Sequence, residues 1–480
     1  MIASEGPASR LRVEFPEMSA HRTLSGGQRL IAFLLAALLV AGLRLELALT
    51  LTLLLALATA VYLVNLGFRL LFLISGLRGA PLVVVADEDA RSIPDRDLPV
   101  YTVLVPAYHE ASVIGHTLRA LERLDYPRER LDVKLLLEAD DQETIAAATA
   151  AAARTSLAIE IARVPVSLPR TKPKACNVGL AHAKGSLVTI FDVEDRPEPL
   201  QLRRAALAFR RLPPSVACLQ AKLSYHNARQ NIITRWFTAE YETWFTLLLP
   251  ALARHGGPVP LGGTSMHIKR DILERVGGWD PYNVTEDADL GVRLQRFRYQ
   301  VMVLDSTTLE ESNSDFVNWV KQRSRWYKGY LQTWLVHMRH PRRLWRELGP
   351  AGFLGLSVMV GAVPILQIIN PLFWGLTVLW FVDRNPFLQS LLPPAIYFPA
   401  LLSLVLGNFL ALYMGLIAIR VARRPYLLVA ALLAPAYWVM MSIAAVRALL
   451  QLVIAPSFWE KSVHGLDVHA PVAEGAHATR

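Results

Sequence analysis

Apolar positions along the chain fall into two kinds of run. Residues 30–43 are apolar, Arg44 and Glu46 interrupt, and residues 47–68 carry no charge. A helix needs roughly 20 apolar residues to cross a bilayer core of about 30 Å, so this pattern predicts a transmembrane hairpin with a tight polar turn. A cleaved signal peptide is disfavoured, because the first run starts late and a second follows at once. Long uncharged runs return at 350–382, which contains Pro364 and Pro371, at 385–419, and at 425–446. The first of these exceeds one straight crossing and predicts two short passes, or a span plus an interface segment. Arg420, Arg423 and Arg424 follow the second, and such clusters mark the cytoplasmic side.

Between the membrane runs the periodicity changes. Residues 100–110, 131–137, 158–164 and 187–191 read as buried strands, with another at 301–304. Helical periodicity occupies 114–124, 144–153, 272–276 and 289–298. Residues 200–254 read as helical and aromatic, and 261–265 as a glycine loop. Residues 316–338 form an amphipathic helix whose stripe includes Trp319, Arg323, Trp326, Tyr330 and Trp334. Aromatics beside basic residues predict that this helix lies at the membrane interface. Strands alternating with helices predict an α/β domain with a mostly parallel sheet, whose ligands bind beyond the carboxyl ends of the strands. The expected division is a cytoplasmic tail (1–28), a hairpin (29–77), a catalytic domain (98–311), interface helices (312–349), transmembrane helices (350–456) and a C-terminal tail (457–480).

Composition agrees. Of 480 residues 53% are hydrophobic and 19% charged, which fits a membrane protein with a sizeable soluble part. The net charge of +10 is accounted for mainly by positive flanks of membrane spans, with an anionic donor and lipid headgroups using the remainder. No recognition motif accompanies that charge, so nucleic acid is not an expected partner. Cys176 and Cys218 lack metal or redox spacing and read as buried thiols.

Candidate chemistry gathers at strand ends. Glu110 follows the first strand, Glu138, Asp140 and Asp141 the second, and Asp192-Val193-Glu194-Asp195 the strand at 187–191. Acids at i and i+2 can bridge a divalent cation to a diphosphate, although such patterns also form solvated turns. Lys172 and Lys174 lie in a loop where either ammonium could meet phosphate as a point charge, although by itself a two-lysine loop is usually just exposed. Thr285-Glu286-Asp287 puts two acids at a helix start, where threonine capping with acids in the first turn is the plainer reading and can hold together with a chemical role. Gln322, Arg325 and Trp326 share one helical face by their i, i+3, i+4 spacing.

Thr-Glu-Asp followed by Gln-x-x-Arg-Trp resembles the membrane-integrated family-2 glycosyltransferases, the group of cellulose, chitin and hyaluronan synthases. The resemblance covers residues 99–339, and the flanking membrane segments in kind only. It implies a GT-A catalytic domain inserted between transmembrane helices, and inverting transfer from a nucleotide sugar, expected to be a UDP-sugar. In that pattern Asp287 is the base beside Glu286, while Arg325, Trp326 and Gln322 complete the catalytic group. Glu110, Glu138, Asp140, Asp141, Lys174, Asp192 and Arg325 hold the donor. Gly263 and Thr264 join Trp326 on the acceptor side. Asp192 and Glu194 hold Mg²⁺ or Mn²⁺. Glu194 replaces the family's second aspartate, which leaves Asp195 as an alternative ligand. The residues around Trp459 resemble a tail segment of some of these enzymes. The resemblance favours a processive synthase of a β-linked polysaccharide in a bacterial inner membrane, with the catalytic domain cytoplasmic and export proteins as possible partners. The alternative is transfer of one sugar to a membrane lipid. A transporter or a pseudoenzyme fits less well, since the acids at strand ends, Asp287 and Arg325 are all present.

Overall fold

The computed structural model describes residues 10–79, 82–383, 386–456 and 458–460. Two apolar helices, α1 (Gly26–Leu45) and α2 (Leu47–Leu77), precede a nine-stranded sheet. Ser25 starts α1 with a capping box to Gln28. The sheet consists of β1 (Leu82–Val83), β2 (Tyr101–Ala107), β3 (Leu131–Glu138), β4 (Ile159–Val164), β5 (Leu187–Ile190), β6 (Arg196–Pro197), β7 (Val216–Tyr225), β8 (Met266–Lys269) and β9 (Gln300–Glu310). Its order is β1-β9-β7-β8-β5-β2-β3-β4, with β6 paired to β9. The β2, β3, β4 and β5 pairings are parallel, and β8 runs antiparallel to β5 and β7. The chain builds outward from β2 through β3 to β4, then returns to place β5 on the other side of β2. That reversal opens a crevice beyond the ends of β2 and β5, the expected place for a ligand.

The strands are buried on both faces because helices cover them. In α3 (Ile114–Glu122), Ile114, Leu118 and Leu121 recur at helical spacing and pack into the core. β7 falls where the sequence predicts helix, and β8 lies between the expected glycine loop and helix in a stretch given no element. β7 is buried along nearly its whole length, so its apolar residues do not alternate and the two-residue period is lost.

Three further expectations change. The segment at 10–25 is packed rather than a loose tail: Leu11, Met18 and Ala20 are buried, and Ala20 N–H donates to Asp280 at 2.5 Å. The amphipathic stretch forms α9 (Phe316–His337), but most of it is buried, with Trp319 fully so. It therefore has no broad free face to lay on a membrane. The long uncharged stretch after it becomes α10 (Pro341–Leu356), kinked at Gly349, then a π-helical turn and α11 (Val363–Val382). α12 (Pro394–Val421) and α13 (Ala434–Ile454) follow. The described residues contain five helical segments long and apolar enough to cross a membrane, and the chain is a membrane protein.

Candidate active site

One cavity of about 580 Å³ lies between the sheet ends and the apolar helices. Its polar end is built from strand termini. Asp192 and Glu194, just past β5, line it, as do Glu110 and Glu138 from the ends of β2 and β3. Lys172 opens α5 (Lys172–Ala181) and reaches across, with its Nζ 2.5 Å from Asp192 Oδ1 and 3.0 Å from the Gly263 carbonyl. Burial acts to lower the Lys172 pKa, but its neighbours, the charge of Asp192 foremost, outweigh it, so the group is held as ammonium.

The Thr-Glu-Asp segment enters from α8 (Glu286–Arg296). A Cβ built on Gly263, whose φ is +81°, would sit 2.9 Å from Asp287 Oδ2, so the glycine allows that carboxylate to lie against the loop. α9 is clamped onto the same segment. Asn283 donates to Thr333 at 2.9 Å, Gln332 accepts from Val284 N–H at 3.3 Å, and Gly329 packs directly on the Thr285 side chain. This contact brings Gln322, Arg325 and Trp326 to the cavity that also holds Glu286 and Asp287. Gln322 accepts from Asn313 at 2.8 Å. Trp326 stacks near Tyr241 at 6.3 Å between ring centroids. Thr285 precedes α8 but its side chain makes no capping bond, so capping does not explain the motif.

Burial and neighbouring charges perturb the titration of this group. Burial raises Glu286 to about 8, helped by the neighbouring Asp287 charge and opposed by Lys172 and Arg325. Burial also raises Asp287, while a bond from Ala288 N–H at 2.7 Å and the charges of Lys172 and Arg325 pull it back. Arg325 is itself lowered by burial and supported by Glu286, Asp287 and Asp192. Titratable neighbours perturbed in this way by burial and nearby charges are a common mark of functional sites.

Several donor assignments change. Lys174 does not line the cavity. It is buried, with Nζ 2.9 Å from the Pro165 carbonyl, 3.0 Å from that of Ser167, and 3.4 Å from Glu138. It props the loop, and Lys172 is the lysine that faces the cavity. Asp140 pairs at the surface with Arg170 at 2.8 Å. Asp141 is buried, capping α4 (Gln142–Ala152) through Thr144 N–H and accepting from His109 N–H at 2.6 Å. Neither aspartate lines the cavity. Thr264 also turns inward, its hydroxyl within hydrogen-bond reach of Asp195 and of the Ile190 carbonyl, so it supports the acid loop rather than an acceptor.

That bond bears on the expected cation. Asp195 is buried against Thr264 and Asp192 N–H, while Glu194 lines the cavity beside Asp192. Burial raises Asp195 far above the carboxylate range, with Asp192 and Glu194 adding to it. Glu310, which also lines the cavity, is raised by burial and by the same acids. Mutually repelling carboxylates around one opening suit a cation. Among the described residues no group of three His, Cys, Asp or Glu side chains forms a metal cage by itself, so substrate oxygens would have to complete the coordination.

Sequence patterns give no sign of the ion pair that braces the aromatic end. Arg323 binds Glu240 through two nitrogens, at 2.8 and 2.5 Å, and Tyr437 donates to the same carboxylate at 2.7 Å. Trp459 stacks on the Arg325 guanidinium at 4.6 Å. The rest of that tail motif, residues 461–465, lies outside the described residues.

Residues 99–329 match the family model "Glycosyltransferase like family 2", and this part of the chain is a family-2 glycosyltransferase domain. A β-monoglucosyldiacylglycerol synthase of Synechocystis sp. is 28% identical over 293 residues, 58% of each protein. A probable glucomannan 4-β-mannosyltransferase of Arabidopsis thaliana is 28% identical over 257 residues, 50% of this chain and 56% of that one. The chain thus spans less than two thirds of the length of these relatives. Among solved structures, a mannosyltransferase of Pyrobaculum calidifontis in complex with GDP-Man and Mn²⁺ is similar at a TM-score of 0.54 and 22% identity, covering 83% of this chain and 99% of that one. This likeness shows the GT-A fold.

Proposed function

We propose that the protein transfers sugar residues from a nucleotide-sugar donor, a UDP-sugar, with inversion, and that it repeats the transfer to build a β-linked polysaccharide passed across the membrane that holds it, a bacterial inner membrane. The observation that carries this reading is one continuous cavity. It runs from Asp192 and Glu194 past Asp287 to residues of α11, α12 and α13, and its far walls carry Trp236, Tyr241, Trp244, Tyr330, Tyr437 and Trp438. Sugar rings present apolar faces that stack on such side chains, as Trp326 would do for the terminal sugar of the acceptor.

In this mechanism Asp287 takes the proton of the acceptor hydroxyl as its oxygen attacks the anomeric carbon. The bond from that carbon to the diphosphate breaks on the opposite side. Arg325 and Lys172 meet the charge left on the diphosphate. Glu286, held neutral at pH 7 by burial, leaves the ionised role to Asp287. Asp192 and Glu194 would hold Mg²⁺ or Mn²⁺, which when bound neutralises diphosphate charge; the Mn²⁺ of the Pyrobaculum neighbour supports this.

A second reading, one sugar placed on a lipid, is favoured by the apolar wall of Val358, Met359, Val363, Ala411, Leu412 and Met414, which suits acyl chains, and by the diacylglycerol-glucosylating relative. Purified protein supplied with labelled UDP-sugars separates the two. A high-molecular-mass product cut by a specific glycan hydrolase is expected. A chloroform-soluble glycolipid with no polymer at any donor concentration overturns the polymer in favour of the lipid.

A further inference from the structure

We propose that the membrane-side wall of the cavity is a phosphate site centred on Arg69, and that the acceptor of the first sugar is an anionic glycerophospholipid with free hydroxyls on its headgroup. This rests on the transferase reading above and names its acceptor, whether or not further sugars follow. Arg69 is the one charged residue of α2, which otherwise runs without charge from Leu47 to Leu77. A basic residue on a span commonly serves as a positive flank facing headgroups outside the protein. Arg78, just past the end of α2, is placed for that. Arg69 instead lines the cavity that holds Asp287, together with Asn65 and Gln367.

These side chains belong to one polar seam. Tyr62, Asn65 and Arg69 recur at spacings of three and four, on one face of α2. Tyr62 donates to Asn370 of α11, which donates to Gln367 at 3.2 Å. Asn65 accepts from Arg69 Nε at 2.9 Å, which orients the guanidinium. What is left over is all of one kind. Among the described residues no carboxylate pairs with Arg69, and its two terminal nitrogens have no protein acceptor. Gln367 Nε2 meets only the sulfur of Met441, at 3.7 Å. Donors without acceptors, around a cation in an apolar helix, select a group that is anionic and only accepts. A phosphodiester is both.

Depth selects the source of that phosphate. Ala20 N–H bonds Asp280, so the chain enters α1 from the catalytic side and α2 returns to it. Arg69 lies about 33 Å along α2 from Leu47, just past an acyl core of about 30 Å. That is the level of lipid phosphates in the catalytic-side leaflet. Phe72, Met359, Ala411 and Met414 give the same cavity an apolar wall for acyl chains. Aromatic rings lead from Arg69 to the reacting groups. Phe68 and Trp244 pack on one cluster, and Trp244 follows Tyr241 of α7 (Ile232–Thr243), which stacks near Trp326. A polyol headgroup laid on these rings points toward Asp287. One of its hydroxyl oxygens attacks the anomeric carbon and gives its proton to Asp287. The bond to the diphosphate breaks, UDP leaves with the electron pair, and the lipid phosphodiester stays intact.

The full chain in phosphatidylcholine vesicles, alone or with phosphatidylglycerol, phosphatidylinositol or diacylglycerol added, tests this with labelled UDP-sugars. Label should enter phosphatidylglycerol or phosphatidylinositol, in a product that retains phosphate, and should not enter diacylglycerol. Arg69→Gln should raise the KM for that phospholipid about tenfold or more, the scale of a lost charged hydrogen bond, while kcat and UDP affinity change far less. Arg69→Lys should recover part of the loss. Wild type purified from membranes should also carry anionic phospholipid that Arg69→Gln loses. Label entering diacylglycerol as fast, polymer made equally well in phosphatidylcholine alone, or an unchanged KM in Arg69→Gln overturns the phosphate site and leaves sugar transfer standing. UDP release in no arm, hydrolysis included, overturns the transferase reading itself and this one with it.

Discussion

The two ends of the cavity solve different problems. The donor end gathers acids: burial and the charges of Asp192 and Glu194 oppose the ionisation of Glu310, and Lys172 is drawn among them. The charges among the aromatic walls of the far end are held in tight pairs. Arg323 is spent on Glu240 and Tyr437, and aromatic faces are left to the cavity. Charge that awaits a ligand suits a diphosphate, whose own charges complete the site. Charge already neutralised leaves a surface on which a sugar can slide, because stacking depends weakly on register. Asp287 and Arg325 sit where the two regimes meet.

The largest effect should come from that seam. Asp287→Asn keeps the shape but cannot take a proton. Donor binding should survive while transfer falls by about 10²-fold or more. A near-normal rate in this variant, with the loss appearing in Glu286→Gln instead, would exchange the roles of the two acids.

Next comes the donor end. Asp192→Ala should lose most donor turnover, and EDTA should stop the wild type until Mg²⁺ or Mn²⁺ is restored. The same substitution also frees Lys172, so donor affinity measured without metal should fall less than turnover. Full activity in EDTA would remove the cation from the donor end.

At the far end, Trp326→Ala should reduce extension about five- to tenfold, the scale of a lost stacking contact, while leaving donor hydrolysis nearly unchanged. Equal losses in both would show that the two ends do not divide the work as described.

The smallest effect is in pH dependence. Burial holds the Glu286 pKa at about 8, above its ordinary value. Activity should decline above about pH 8 as Glu286 ionises beside the diphosphate, and Glu286→Gln should abolish that alkaline limb. The stability sign follows from proton uptake. Between the ordinary carboxylate pKa and 8 the folded chain holds a proton that the unfolded chain has released, so this group's contribution to stability falls as pH rises through that window. Thermal melting of wild type and Glu286→Gln across that range checks it.

The sequence by itself determined the sheet's parallel core and the apolar segments, and its motifs carried the expectation that Asp287 shares a cavity with Arg325 and Trp326, which all three line. Each rests on local periodicity or on a motif whose residues act together. Tertiary structure alone decided which nearby residue faces the site. Lys172 and Lys174 begin the same helix two positions apart, about 200° around it, so one points at the cavity and the other into the protein. Glu194 and Asp195 likewise part company only because Thr264 takes Asp195 inward. β7 could not be read because a strand covered on both faces loses its alternation. Nor could hydropathy distinguish α13 from α1, since it measures how apolar a helix is and not what covers it. The window of α1 is 0% buried and that of α13 is 39% buried, a difference created by α9 arriving from elsewhere in the chain.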